Sequence, residues 1–140
     1  MWLIAGGGAI FSLLLLPATA IVARNAAFEF IFALIFQLWL GFFAMALWKN
    51  RQAAASAAGV NRLVTAGVYS IVRHPIYFAD ILMAWGIFLF FPNLNVLLAA
   101  FWITLVFHGW MGLEEEALSK KFGKKFSDYS RKVPKLVPRL

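Results

Sequence analysis

The fold class this sequence predicts is all-α: an integral membrane bundle of four transmembrane helices followed by a C-terminal amphipathic interfacial helix. Three observations carry that expectation. First, the 140-residue chain is 63% hydrophobic and only 14% charged, with mean hydropathy +0.80, whereas a soluble domain is nearer half apolar and a quarter charged. Second, the apolar residues come in long runs, and a chain this short has no core large enough to hide them all from solvent. Third, the cations stand outside those runs. The segment 49–73 and the tail beyond residue 113 hold twelve of the thirteen Lys and Arg residues, with Arg24 the remaining one. With four spans, those two segments share a side. The positive-inside rule then places both, and the N-terminus, in the cytoplasm, with the protein in the inner (plasma) membrane.

The first apolar run, 2–23, is uncharged and long enough to span, a bilayer needing about 20 apolar residues. It is read as a span because no basic stretch precedes it as in a signal peptide. Its Gly6-Gly7-Gly8 lacks the preceding strand and the spacing of a dinucleotide loop, so close helix packing is the expected use. The second span, 26–48, carries Glu29 near its start, close enough to the interface to snorkel or to pair with Arg24, and Gln37 mid-way, which needs a partner inside a bundle. The segment 49–72 is polar; its 53–58 stretch is small and helix-permissive, and Gly59 and Gly67 punctuate it. Pro75 suits the first position of a third helix, 76–91. Pro92-Asn93 makes a turn, and 95–113 is the fourth span. Beyond it Leu118, Phe122, Phe126 and Tyr129 recur at helical spacing, with Lys120, Lys121, Lys124 and Lys125 opposite. That tail reads either as a helix lying in the headgroups or as a lid over the cytoplasmic mouth.

Composition excludes several chemistries. Without cysteine there are no disulfides, thiolate metal sites or Cys nucleophile. Two isolated His residues offer no metal-ligand spacing, and no Ser nucleophile elbow occurs. The net charge of +7 follows membrane topology and calls for membrane lipids as partners, not nucleic acid. What remains is a polar cluster at one membrane face. Arg73-His74-Pro75 at a helix start offers positive charge to a small anion, or anchors the helix to lipid phosphate. Glu114, Glu115 and Glu116 leave an apolar helix on the same side. A ribose diol or an ammonium group suits such carboxylates, whereas Glu116 is positioned for an i,i+4 pair with Lys120. His108, seven residues before Glu115, is either a base or a neutral His bonded to a neighbouring helix. Asp80 reads as a support for Arg73 or Tyr77.

These residues resemble a known family. Leu63-Val64-Thr65-x-Gly67-x-Tyr69 followed by Arg73-His74-Pro75-x-Tyr77 is similar to the first signature of the isoprenylcysteine carboxyl methyltransferases and their relatives among membrane phospholipid methyltransferases. Glu114-Glu115-x-x-Leu118-x-x-x-Phe122-Gly123, then Phe126, Tyr129, Val133-Pro134 and Pro138, resembles the second. The match covers 63–138 and divides the chain into a methyltransferase core, 63–140, and two variable N-terminal spans with their loop, 1–62.

The resemblance implies S-adenosylmethionine-dependent methyl transfer to a small lipophilic or lipid acceptor at the cytoplasmic face, on a carboxylate oxygen, an amine nitrogen or a thiol sulfur. Carried over by position, it implies cofactor contacts from Leu63, Val64, Tyr69, His74, Tyr77, Glu114 and Glu115. Arg73 would offer its charge to the methionine carboxylate. The family's prenylcysteine branch has an Arg four residues before the first Glu. Here that residue is Trp110, and no Lys or Arg occurs from 76 to 117. Trp110 is therefore expected on the acceptor side, with His108 as a substitute base. Ala79 stands where a Gly is usual. A nicotinamide-dependent reductase of similar architecture and a non-catalytic membrane subunit are the alternatives, and the oligomeric state is open.

Overall fold

The computed structural model describes residues 1–49 and 62–137, so the helix-permissive stretch 53–58 and the positions Gly59 and Pro138 lie outside the described residues. Among those described the protein is all-α, with five α-helices: α1 (Trp2–Leu15), α2 (Ala26–Lys49), α3 (Pro75–Phe90), α4 (Leu94–Phe122) and α5 (Lys124–Lys132). They form two compact units, one of residues 1–39 and 80–110, the other of 40–79 and 111–140. Among the described residues two helices are long and apolar enough to cross a membrane, Ala26–Trp48 and Leu94–Phe122; α1 and α3 are shorter apolar helices.

The first unit corrects the expected first span. α1 has 14 residues rather than 22, about 21 Å of helix against roughly 30 Å of hydrocarbon. Pro17 ends it, because the ring denies the preceding residue helical geometry, and Leu16 is extended (φ −99°, ψ 147°). The chain beyond is tied to the start of α4 by two backbone bonds, Ile21 N–H to Pro92 and Leu94 N–H to Thr19, both 2.8 Å.

Of the three glycines, Gly8 is the one in close packing. A Cβ there would lie 2.0 Å from Trp102 Nε1, while Gly6 and Gly7 face open space. Trp102 donates its indole N–H to Ile4 O, and Ser12 Oγ donates to Asn95 O, joining α1 to α4. Trp2 adds an edge-to-face contact with Phe107.

At the head of α2, Asn25 Oδ1 accepts the N–H of Phe28, an N-cap. Of the two alternatives for Glu29 the structure shows the ion pair, with Arg24 at 2.8 Å. Gln37 is exposed on α2. α2 and α3 meet through Phe32 and Ile35 against Gly86, and through a tilted contact of the Phe32 and Phe90 rings, 4.8 Å apart at 45°. Asp80 goes to neither Arg73 nor Tyr77: its Oδ1 accepts the Trp39 indole N–H at 2.9 Å. Its other oxygen is buried without a hydrogen-bond partner.

In the second unit, α3 begins at Pro75, as the proline predicts. α4 does not stop at 113 but runs through the three glutamates to Phe122, because Glu, Ala, Leu and Lys all favour the helix. Gly123 breaks it with φ +51°, a conformation that side chains with a Cβ rarely adopt. The amphipathic tail is thus two pieces, the end of α4 and the separate α5. The apolar face of α5 (Phe126 and Tyr129), with Val133, packs on Leu63, Leu118 and Phe122 of its own unit.

Candidate active site at the start of α3 and the end of α4

The polar residues of the second unit converge where α3 begins and α4 passes. The 3-10 turn Gly67–Ser70 leads in, opened by Gly67 at φ +67° and tied by Ser70 Oγ donating to Gly67 O. Tyr69 is buried in an apolar cluster with Ala46, Val68 and Ile76, against which Val64 packs; Leu63 lies against the neighbouring cluster of α5.

Pro75 fixes the direction of α3, so His74 and Tyr77 leave the same end of the helix. Their rings stack at 5.7 Å and 27°. Tyr77 Oη donates to Glu114 Oε1 at 2.7 Å. His74, 6% exposed, lies between the two carboxylates, with Nε2 3.1 Å from Glu115 Oε1 and Nδ1 3.7 Å from Glu114 Oε2. A carboxylate only accepts, so Nε2 carries the proton towards Glu115.

Arg73 reaches the same Glu115 oxygen through Nε at 2.9 Å and Nη2 at 2.7 Å. Its Nη1 donates to two backbone carbonyls at the end of α5, Ser130 at 2.8 Å and Val133 at 2.5 Å. The backbone N–H groups of Arg73 and His74 donate to Pro134 O and Lys135 O. Lys135 Nζ stands 3.4 Å from the second Glu115 oxygen. The two amides just ahead of α3 are therefore occupied by the chain's own C-terminal segment.

Tyr129 closes that side, its phenol donating to Tyr69 O at 2.6 Å. Burial pushes this phenol above the ordinary tyrosine range. Glu116 points elsewhere and pairs with Lys120 at 2.6 Å, both exposed, as its spacing predicts.

The structure thus brings Arg73, His74, Tyr77, Glu114 and Glu115 into one hydrogen-bonded cluster. His108 and Trp110 belong to the first unit, where His108 is exposed and Trp110 half-buried on α4. Sequence reading missed Ser130, Val133, Pro134 and Lys135 as partners of Arg73, His74 and Glu115. Three of those four contribute only a backbone carbonyl, which every residue type carries, and so leave no mark in the sequence. Among the described residues no group of three His, Cys, Asp or Glu is arranged for a metal ion.

Two signature segments on neighbouring helix ends, with paired carboxylates against a His–Tyr stack, define a class, and comparison with known families agrees. The phospholipid methyltransferase family model matches residues 31–125, and the chain belongs to that family. Among curated relatives it is 33% identical over 81 residues to the cobalt-zinc-cadmium resistance protein CzcN of Cupriavidus metallidurans. That alignment covers 57% of this chain and 37% of the relative. It is 32% identical over 79 residues to protein-S-isoprenylcysteine O-methyltransferase B of Arabidopsis thaliana, covering 56% of this chain and 40% of the relative. The aligned stretch thus spans about two fifths of each relative's length. No solved structure matches the chain.

Proposed function

We propose that this protein is a membrane enzyme that transfers a methyl group from S-adenosylmethionine to a small lipophilic or membrane-embedded acceptor at the cytoplasmic face. The observation that carries the reading is the contact of the two signatures: Tyr77 on Glu114 and His74 on Glu115. The donor set fits the cofactor. S-adenosylmethionine bears a sulfonium, an ammonium, a ribose diol and an adenine. Partly exposed carboxylates beside stacked aromatic rings match cations, diols and flat bases in kind.

S-adenosylmethionine, when bound, supplies an activated methyl group on a positively charged sulfur. The protein's share is binding, alignment and exclusion of water. Glu114, held by Tyr77, accepts hydrogen bonds from ribose or ammonium; His74 and Tyr77 offer a flat wall. Leu63 and Val64 contribute backbone contacts, and Tyr69 supports the wall from its buried position. On the acceptor side Trp110 offers an aromatic face in place of a carboxylate clamp, and His108 serves as a base where the acceptor must lose a proton. The long apolar helices admit the acceptor from the bilayer, with both termini cytoplasmic.

The test is cofactor binding by the detergent-solubilised protein. S-adenosylmethionine is expected to bind and NADPH not to; tight binding of NADPH alone would reverse the proposal. Glu114→Ala and His74→Ala are each expected to lose the cofactor while remaining folded by circular dichroism, and normal affinity in both removes the site assignment. Trp110→Arg is expected to keep cofactor affinity and to change which acceptors from a membrane extract take up a radiolabelled methyl group.

A further inference from the structure

Arg73 has the charge for a ligand carboxylate, but its contacts point elsewhere. Its guanidinium reaches one oxygen of Glu115 through two nitrogens and the carbonyls of Ser130 and Val133 through the third. Its own N–H and that of His74 donate to Pro134 O and Lys135 O. The side chain is 12% exposed. We infer that Arg73 is a positioning residue: it fastens the C-terminal segment, α5 through Lys135, onto the Arg-His-Pro turn and holds Glu115 against His74, rather than binding the methionine carboxylate. The inference rests on the methyl-transfer reading for what the site binds, but its structural part stands apart from it.

The chemistry suits Arg and no other side chain. The last carbonyls of a helix lack intrahelical partners, and a guanidinium placed there satisfies them while complementing the negative end of the helix dipole. The remaining edge of the same planar fork is free to grip a carboxylate. One residue therefore ties together α5, α4 and the start of α3. Glu115, gripped by Arg73 on one oxygen and faced by Lys135 on the other, accepts from His74 Nε2 and so fixes the orientation and tautomer of that ring. Tyr129, bonded to Tyr69 O, and the packing of Phe126 and Val133 fasten the same segment independently. Loss of Arg73 should therefore loosen the segment without unfolding the unit.

Two ligands separate a positioning Arg from a carboxylate-binding one: S-adenosylhomocysteine, which carries the carboxylate, and decarboxylated S-adenosylmethionine, which does not. Affinity for both is measured on the full chain in detergent for wild type, Arg73→Ala and Arg73→Lys, together with thermal stability. Hydrogen exchange of residues 124–137 is followed without ligand. The expected result is that Arg73→Ala weakens both ligands by a common factor of about tenfold or more, the scale of lost charge-assisted hydrogen bonds. Exchange in 124–137 should rise while α2 keeps its protection. Arg73→Lys, whose point charge still pairs with Glu115 but cannot also span two carbonyls, should recover thermal stability without recovering affinity. A purely structural role would restore both together, and that outcome counts against the inference. Loss confined to S-adenosylhomocysteine, or unchanged exchange, overturns it. If wild type binds neither ligand, the methyl-transfer reading fails and the exchange measurement alone decides the role of Arg73. If Arg73→Ala does not fold, Arg73→Lys carries the same comparison.

Discussion

At the scale of single residues, side chains of one chemical type have different fates here because their neighbours differ. Glu114 and Glu115 face Tyr77, His74 and Arg73, whereas Glu116, next in sequence, projects into solvent with Lys120. Glu116→Ala is accordingly expected to leave cofactor affinity within about twofold of wild type, since exposed ion pairs contribute little; a large loss in a binding titration would show that the wrong carboxylates have been assigned. Asp80 presents another case. Its Oδ1 satisfies the Trp39 indole while Oδ2 has no hydrogen-bond partner. Asp80→Asn keeps an acceptor for Trp39 and is expected to be tolerated. Asp80→Leu strands that indole N–H at a cost of about 1–3 kcal/mol, readable as a lower thermal midpoint. Tyr129 supplies the pH dependence. Its buried phenol holds its proton more tightly in the folded state than in the unfolded chain. The stability it contributes is therefore whole below pH 10.0, the ordinary tyrosine value, and is lost as pH rises through its higher folded value. Tyr129→Phe should flatten the alkaline limb of a stability–pH curve and lower its plateau by about 1 kcal/mol.

At the scale of elements, breaks in the helices follow local chemistry, while their contacts do not. Pro17 ends α1, Pro75 starts α3 and Gly123 separates α4 from α5, each by a backbone rule that operates within one turn. Packing instead divides three adjacent glycines: Gly8 meets Trp102, whereas Gly7 meets nothing within 4 Å. Gly7→Ala is expected to be neutral or stabilising, since Ala exceeds Gly in helix propensity by about 1 kcal/mol. Gly8→Ala must displace the Trp102 ring and should cost about 1–3 kcal/mol. Equal effects of the two substitutions on thermal unfolding would mean that α1 does not lie against Trp102. The same division appears in the tail, where periodicity marks the apolar residues of 118–129 without saying what covers them. Leu63, Leu118 and Phe122 cover Phe126, Tyr129 and Val133. The face is therefore taken up by the protein's own second unit.

For the whole molecule, the distribution of charge orders the chain. Twelve of thirteen cations lie in the segments 49–73 and 114–140, and the topology proposed from them has a direct check. The chain contains no cysteine, so Ser127→Cys provides a single reporter on α5. It is expected to react with a membrane-impermeant maleimide in inverted inner-membrane vesicles and not in intact cells; the opposite pattern would reverse the orientation.

The helical class, the start of α3 at Pro75 and the two signatures were legible in the sequence by itself, whereas the breaks at Pro17 and Gly123 were read through as continuous helix. The legible features depend on residue type within a turn or within a short motif. Tertiary structure alone decided that Arg73 reaches Glu115, 42 residues away, and Val133, 60 away, and that Asp80 turns to Trp39, 41 away. It also decided that the first apolar run supplies a 14-residue helix followed by a return to the turn before α4. The physical reason is common to these cases. Backbone preference acts on neighbours along the chain, but the choice among distant hydrogen-bond partners is made by packing, and several of the partners chosen here are main-chain carbonyls that no side chain announces.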